Sequence, residues 1–361
     1  LAVAVLLAAA QARFAGHLGL PLGLAATAAL APALTRLRAP AGRALAAAGL
    51  LAVVALPQRA AARPVEVSER ALADSFDVLL GLRARAGASG EAERGVVLAE
   101  WSFGHYVQYY GRHPAAVDNF GDWLADLSLP RRVLLAESEA EAEALLDRAG
   151  VRYLLVGELA ETLSGLLPTE AERARLVAAS RPAAGGRLAI DFRPAILSTV
   201  LYRAARQLGT AALAPDGRFV PPLRGLRLVE ESARGETLGD GRELPVFKLY
   251  ERVRGARLVV RGLEPTAEVS LEAELASPRG RLFPWLDVVP AGADGVAELR
   301  FPYSTGAARG VRPLAIRVRA GEREIDVREI PERAAREGLV LELGGGPTGA
   351  ALSRAESRGR G

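Results

Sequence analysis

Six consecutive residues, Glu100-Trp101-Ser102-Phe103-Gly104-His105, combine side chains that could bind and orient a substrate. A carboxylate, a hydroxyl and an imidazole can exchange hydrogen bonds or protons, and aromatic rings beside them can exclude water. Residues 97–123 around this stretch hold two of the chain's three histidines, two of its three tryptophans and its one asparagine, although aromatic residues make up 5% of the chain. This concentration predicts a binding or catalytic loop, with simple aromatic packing as the alternative.

The same residues leave two other kinds of site open. His105 and His113, joined by Asp118 or Glu100, could ligate a metal ion. Ser102, His105 and Asp118 could form a hydrolytic triad, but the sequence lacks a nucleophile-elbow pattern. We favour a hydrogen-bonding or interface role for the histidines over either of these sites. The chain contains no cysteine, which excludes disulfides, metal-thiolate sites and a cysteine nucleophile.

The elements around this stretch predict a mixed or parallel α/β domain over residues 65–255. A helical period places Leu72, Phe76, Leu79 and Leu80 on one helix face. Alternating strand and helix signals follow, listed in chain order as a strand at 95–100, a helix at 104–112, a strand at 131–138, a helix at 141–150 and a strand at 151–157. Residues 158–190 and 191–209 read as helical, and two strands are expected within 226–254. The loop at 100–105 therefore follows a strand, where α/β domains place their sites.

The two ends of the chain predict different architectures. From residue 256 to 343, seven short segments of alternating apolar and polar residues are separated by Gly, Pro and Asp turns, which predicts a β-sandwich domain. Residues 344–361 are rich in Gly, Arg and Ser and are predicted to be a disordered tail. Gly/Asp turns within the strand-rich segment indicate hairpins.

Residues 1–57 are predicted to form the C-terminal transmembrane helices of a multi-spanning membrane domain. The run from Phe14 to Leu34 has about the 20 residues that a bilayer core requires. The arginine-rich turn at 36–43 is expected on the cytoplasmic side, which places the rest of the chain outside the cytoplasm. Arg13 then lies at the outer interface, as a snorkelling anchor or as a ligand for an anionic headgroup. The first apolar block looks cut, so we interpret the chain as the C-terminal part of a longer protein.

The overall fold class is therefore α/β, with transmembrane helices at the N-terminus, a mixed α/β extracytoplasmic domain, and then a β-sandwich. The formal net charge is +4, but the arginines are interleaved with Asp and Glu. This pattern is typical of a solvated mixed-charge surface, so we expect membrane lipid and no nucleic acid among the partners.

The segment "EWSFGHYVQYYGRHPAAVDNFGD" resembles the signature region of oligosaccharyltransferase catalytic subunits, whose motif is WWDYG followed by an apolar helix and a V-D/A-N segment. Further segments resemble the family in its order, namely "QARFAGHLGL", "VRYLLVG", "LYRAARQLG", "LRGLRLVEES", "LPVFKLYERVRGA" and "FPYST". The resemblance covers roughly residues 1–305. It implies an integral protein of the inner (cytoplasmic) membrane, with most of the chain extracytoplasmic or periplasmic.

The resemblance implies transfer of a glycan from a lipid-pyrophosphate carrier to an asparagine of an acceptor protein or peptide. The acceptor would contact Glu100, Trp101, Ser102, Phe103, Gly104 and His105, and Arg13 would contact the pyrophosphate of the lipid-linked oligosaccharide. The family also implies a divalent metal, Mg or Mn, whose ligands lie outside this chain. Residues 1–57 contain no Asp or Glu, so we assign no catalytic or metal-binding residue and expect no glycan transfer by this chain alone.

The motif departs from the family at two positions. Glu100 stands at the first tryptophan and Ser102 at the aspartate, and these family residues recognise the Ser or Thr two positions after the acceptor asparagine. The departures favour two alternatives. One is a non-catalytic, membrane-anchored binding or scaffold module, and the other is a lipid-carrier glycosyltransferase with a non-peptide acceptor.

Overall fold

A computed structural model describes residues 66–343, except for gaps at 90–93, 119–125, 167, 183–187, 215, 238–240, 242 and 307–309. The described helices are α1 Glu66–Ser89, α2 Gly104–Tyr106, α3 Leu129–Leu134, α4 Glu139–Arg148, α5 Leu159–Gly165, α6 Glu170–Leu176, α7 Val200–Gln207 and α8 Glu332–Glu337. The strands are β1 Val96–Leu98, β2 Val151–Val156, β3 Val177–Pro182, β4 Leu188–Phe192, β5 Ala212–Leu213, β6 Phe219–Val220, β7 Leu226–Glu231, β8 Gly235–Thr237, β9 Glu243–Pro245, β10 Lys248–Arg252, β11 Ala256–Arg261, β12 Glu268–Ala276, β13 Leu282–Pro290, β14 Val296–Phe301, β15 Arg312–Ala320, β16 Arg323–Asp326 and β17 Val340–Leu343.

A four-stranded mixed sheet with the order β1-β2-β10-β7 carries the loop at 100–105. Strands β1 and β2 are parallel, whereas β10 is antiparallel to both β2 and β7. Nearly every residue of these four strands is buried, as expected where both faces of a sheet are covered. The mixed α/β fold predicted from the sequence is confirmed.

Helix α1 covers one face of this sheet. Its residues Val78, Leu79 and Leu82 are fully buried and pack with Val97 of β1. The expectation that Leu80 shares the buried face is wrong, since its side chain is 49% exposed. The buried face is centred on Val78, Leu79 and Leu82, and Leu80 lies about 200° from Val78 around the helix axis, so its side chain points away from the sheet.

The strand expected at 131–138 is also wrong, because Leu129–Leu134 forms helix α3. Pro130 occupies its first turn, where its missing N–H costs nothing. Leu129 and Val133, four residues apart, are both buried on one side of the helix. A short apolar run alone does not separate a buried strand from a buried helix.

Residues 158–209 contain less helix than expected. Helices α5 and α6 are present, but Val177–Pro182 (β3) and Leu188–Phe192 (β4) are strands that pair antiparallel. A 3-10 turn at Pro194–Ser198 precedes helix α7. Thr199 ends that turn and caps α7 by accepting a hydrogen bond from the backbone N–H of Tyr202 at 3.2 Å.

All seven strands expected after residue 255 are present. They form a three-stranded sheet, β14-β11-β17, and a four-stranded sheet, β13-β12-β15-β16. The rings of Trp285 in β13 and Phe301 in β14 meet edge-on at 4.9 Å, so the two sheets share a core. Helix α8 was not expected; it leads into β17, which pairs with β11 in parallel.

The predicted transmembrane helices in residues 1–57 and the tail at 344–361 lie outside the described residues. Within the described part of the chain, no helix has the length and apolarity needed to cross a membrane. The domain boundaries proposed at residues 57, 65, 255 and 343 stay predictions.

Candidate acceptor-binding site

The carboxyl ends of β1 and β2 lie at the same edge of the sheet because the two strands are parallel. Glu100 follows β1 at this edge, and Gly157 and Glu158 follow β2. The antiparallel strand β10 starts there, so Phe247 enters the sheet beside them. Three chain segments that are distant in sequence thus converge where α/β sheets commonly bind ligands.

Glu100 and Ser102 form a compact polar pair at this edge. Oε1 of Glu100 accepts a hydrogen bond from the backbone N–H of Ser102 at 3.1 Å, and Oε2 accepts one from the Ser102 hydroxyl. The Glu100 side chain is 8% exposed. Burial raises the pKa of its carboxyl above the ordinary value, and the two hydrogen bonds from Ser102 oppose that rise. The pair therefore holds an acidic group where water has little access.

Gly104 fixes the turn that follows. A Cβ at this position would lie 2.1 Å from the backbone oxygen of Val117 and 2.5 Å from Cα of Asp118. No side chain fits there, so the helical turn can lie directly on the backbone of residues 117–118. The sequence motif predicted Gly104 as part of the site. In the structure, this glycine allows two backbone segments to lie in direct contact.

The aromatic residues of the motif contact different segments of the chain. Nε1 of Trp101 donates to the backbone oxygen of Gly165 at 3.0 Å. Gly165 also lies against Glu100, since a Cβ there would be 2.6 Å from its Cγ and Cδ. The ring of Phe103 meets Phe247 edge-on at 5.3 Å, and that of His105 lies 3.8 Å from Tyr106.

A cleft of about 110 Å³ opens beside the motif. It is lined by Glu100 and Phe103, together with Leu155, Gly157, Glu158, Glu161, Thr162 and Phe247. Its volume suits a single amino-acid side chain rather than a whole small molecule, which usually needs several hundred Å³. Three carboxylates, of which Glu100 belongs to the motif, one threonine hydroxyl and two aromatic rings give the cleft both polar and apolar contacts.

The metal and triad hypotheses receive no support from the geometry. The Ser102 hydroxyl donates to Glu100 and not to a histidine. His113 is buried, and its Nδ1 lies 2.9 Å from the backbone oxygen of Gly95. Burial lowers the pKa of His113, and the contact of its ring with Gly95 helps to hold the β1 region in place. Among the described residues, no cluster of three His, Cys, Asp or Glu side chains could hold a metal ion, so these residues do not fit the divalent metal.

The structure brings the six motif residues together at one edge of the sheet, while Arg13 and Asn119 lie outside the described residues. Sequence reasoning missed the opposite wall of the cleft, formed by Thr162 and Phe247. The glycine that ends the run "VRYLLVG" was the available signal. It marks the end of a buried strand parallel to β1, at the edge where Glu100 lies.

The fold is similar to three structures of the oligosaccharyltransferase of Archaeoglobus fulgidus. The archaeal oligosaccharyltransferase AglB in complex with an inhibitory peptide and a dolichol-phosphate has a TM-score of 0.57 and 14% identity, covering 75% of this chain and 42% of that one. The complex with Zn and sulfate has a TM-score of 0.58 and 14% identity, covering 81% and 50%. The enzyme tethered to an acceptor peptide with the NVT sequon has a TM-score of 0.59 and 12% identity, covering 74% and 43%.

Residues 255–341 match the family model described as the archaeal glycosylation protein B long peripheral domain. The chain is therefore similar to oligosaccharyltransferases over this segment and in its fold. The matched segment coincides with the three- and four-stranded sheets of the C-terminal region. No curated protein matches the sequence significantly. The likeness to the solved oligosaccharyltransferases concerns the fold, and the chain spans half or less of their length.

Proposed function

We propose that this chain supplies the acceptor-binding part of an oligosaccharyltransferase, which moves a glycan from a lipid-pyrophosphate carrier to an asparagine of a protein. Structures of a relative with an inhibitory peptide, a dolichol-phosphate and an acceptor peptide support this choice of partners. The proposal rests chiefly on one observation. The buried Glu100 carboxylate, held by Ser102, faces a side-chain-sized cleft at the motif.

The Glu100 carboxylate can recognise a hydroxyl of the acceptor. Each of its oxygens accepts one hydrogen bond from Ser102 and retains capacity for another. A threonine or serine hydroxyl that donates to Glu100 would place its methyl or methylene group near Phe103 and Phe247. A ligand without the hydroxyl would leave the buried carboxylate less satisfied, and sites of this kind reject such ligands strongly. Glu100 would thus replace the aspartate that the family places two positions later.

Peptide binding by the full chain tests this role of Glu100. Titration with an Asn-Val-Thr peptide and with its Asn-Val-Ala variant should show weaker binding of the second. The Glu100→Gln substitution should weaken binding of the threonine peptide by about tenfold or more, as expected for a lost charge-assisted hydrogen bond. Glu268→Gln, at an exposed position of β12, is the matched control.

The effects of Glu100→Gln in the protein and of Thr→Ala in the peptide should be strongly non-additive, because both remove the same hydrogen bond. Glu100→Gln should have little further effect on the alanine peptide, and Glu268→Gln should leave both affinities unchanged. Equal losses for both peptides would show that Glu100 does not contact the hydroxyl, and the proposed recognition would then be wrong.

The donor side of the reaction is assigned to Arg13 at the outer face of the membrane. A guanidinium can form a two-pronged contact with a phosphate. In membranes that contain the complete protein, Arg13→Ala and Trp101→Ala should each reduce glycan transfer, while Arg36→Ala is the matched arginine control. Unchanged transfer in both variants would remove the support for both assignments.

A binding or scaffold module remains the second candidate, because Glu100 and Ser102 replace two residues of the family motif. The same assays separate the two functions. Peptide binding that depends on Glu100, without glycan transfer by the complete protein, would favour the module.

A further inference from the structure

A second and larger cleft lies between helix α1, the end of β7, and strands β12 and β15. Its volume is about 680 Å³, which is within the range of small-molecule sites. The residues that matter for its chemistry are Arg85, Glu230, Arg279 and Arg312, with Gly81 and Gly310 in its walls. None of them contributes to the cleft beside Glu100.

Positive charge exceeds negative charge in this cleft, which has three guanidinium groups and one carboxylate in its lining. Nε of Arg279 donates to the backbone oxygen of Glu231 at 3.0 Å, and its NH2 lies 3.4 Å from Asp77. NH1 of Arg85 has a long contact of 3.5 Å with the backbone oxygen of Val229. Over the described ranges, neither Arg85 nor Arg312 forms an ion pair with another residue. Two guanidiniums thus remain available to an incoming anion.

Two glycines keep the cleft open. Gly81 lies inside α1, where glycine costs about 1 kcal/mol relative to alanine. A Cβ there would lie 2.6 Å from Cδ of Glu230, so the glycine makes room for this carboxyl against the helix. Gly310 has φ +102°, and a Cβ there would lie 3.4 Å from NH1 of Arg85. A bulkier residue at either position would press on a charged group of the cleft.

We propose that this cleft binds a small molecule or headgroup that carries a phosphate-type oxyanion. Arginine presents a planar fork of donors that matches phosphate oxygens, and three such groups around one cleft suit a ligand with a double negative charge. The volume exceeds that of a bare phosphate, so the oxyanion belongs to a larger organic molecule. This site is independent of the proposed acceptor-binding function.

Glu230 makes binding dependent on pH. Burial raises the pKa of its carboxyl. A hydrogen bond from the backbone N–H of Glu231 and the charges of Arg85 and Arg279 oppose this rise, and the charge of the Glu231 carboxylate adds to it. Arg312 also lines the cleft, while Asp77 is engaged with Arg279. An oxyanion bound beside Glu230 would repel its ionised form, so binding should take up a proton and become tighter as the pH falls.

Binding measurements on the full chain test the site with three probes, namely inorganic phosphate, glycerol 1-phosphate, and phosphatidylcholine vesicles that contain phosphatidic acid. We expect glycerol 1-phosphate or the vesicles to bind more tightly than inorganic phosphate. Preference for the soluble ester would identify a free metabolite, whereas preference for the vesicles would identify a lipid headgroup. Failure of all three probes to bind would overturn the proposal.

Three substitutions and one control sharpen the test. Arg85→Gln and Arg312→Gln should each weaken binding of the preferred probe by about tenfold or more. Glu230→Gln should tighten binding and leave only the pH dependence that comes from ionisation of the phosphate itself, an effect that a general loss of structure would not produce. Arg323→Gln, at an exposed position of β16, should change nothing. Binding that survives both arginine changes, or that weakens in Glu230→Gln, would contradict the site.

Discussion

Two places in this molecule surround their carboxylates in opposite ways. In the junction cluster, made by Arg227, Glu251, Glu332, Arg336 and Arg152, each carboxylate contacts at least two arginines. In the cleft beside the motif, the Glu100 carboxylate has Ser102 as its recorded hydrogen-bond partner. A carboxylate that is paired with arginines supports the fold, whereas one without such partners remains available to a ligand.

The junction cluster connects β7 and β10 with helix α8. NH2 of Arg227 donates to Glu251 at 2.7 Å and to Glu332 at 2.5 Å. Burial alone would raise the pKa of the Glu332 carboxyl, but Arg227, Ser304 and Arg336 bring it down to about 2. For Glu251, the arginines likewise outweigh burial and lower the pKa. Both carboxylates are therefore ionised and satisfied at neutral pH.

Glu100 shows the reverse balance, since burial prevails and its pKa is raised. A neighbouring hydroxyl and a backbone N–H do not compensate for the loss of water as arginines do. A carboxylate in this state gains more from a ligand's hydrogen bond than one that is already paired. The comparison therefore points to the motif cleft, rather than to the more highly charged junction, as the binding site.

The largest effect is expected from breaking the junction cluster. Arg227→Met would leave the buried carboxylate of Glu251 and the half-buried one of Glu332 with weaker compensation. Loss of one partner from a buried ion pair costs about 3–5 kcal/mol. Urea denaturation should show this loss as a lower midpoint. Arg257→Met, in the exposed pair with Glu298, is the control and should cost less than about 1 kcal/mol. Similar midpoints for the two variants would mean that the junction does not support the fold.

The next effect tests whether a buried amine is costly to keep protonated when no carboxylate forms an ion pair with it within the described residues. Lys248, the only lysine in the sequence, is 2% exposed and faces Glu231 across the β10–β7 pairing. Burial lowers its pKa from 10.5 to about 7, with Arg206 adding to the decrease and nearby carboxylates opposing it. Between these values the unfolded chain holds a proton that the folded chain has lost. Stability should therefore rise with pH over this window.

Lys248→Met should remove that dependence and stabilise the fold near pH 7, by on the order of 3 kcal/mol. Thermal or urea unfolding at several pH values from 7 to 10 would measure both effects. Arg323→Met, an exposed basic residue, controls for the change in net charge. A variant that unfolds more easily than the parent at pH 7 would show that Lys248 is charged and paired in the fold.

The sequence predicted the C-terminal strands better than the elements around the site, and the reason is physical. Strand β12 buries alternate residues, such as Val269, Leu271 and Ala273, while the residues between them are more exposed. That alternation is visible in the sequence. Around the site, segments such as 133–136 are apolar throughout, and the same pattern fits a helix or a strand.

For a related reason, the sequence predicted only one of the two walls of the candidate site. Its first wall, Glu100 to His105, is continuous in the sequence and carries the motif. Its second wall comes from Thr162 and Phe247, which only the pairing of β2 and β10 brings close. The hydrogen bonds between Glu100 and Ser102 were equally hidden. Nothing in the sequence indicates that one replaced motif residue holds the other.

The smallest effect on stability is expected at Glu100, and it gives the most direct test of the difference between this carboxylate and the junction cluster. Folding raises the pKa of the Glu100 carboxyl above its value in the unfolded chain. Between these two pKa values the folded chain holds a proton that the unfolded chain has lost. The free energy of unfolding therefore falls as the pH rises through this window. Glu100→Gln should therefore increase the free energy of unfolding at pH 7 by about 1 kcal/mol or less, while it weakens peptide binding. Urea unfolding at pH 5 and pH 8 should show a smaller difference between the two conditions in the variant than in the parent. Glu268→Gln should retain the parental difference. A substantial loss of stability in Glu100→Gln would place this carboxylate with the junction cluster, as a group that supports the fold.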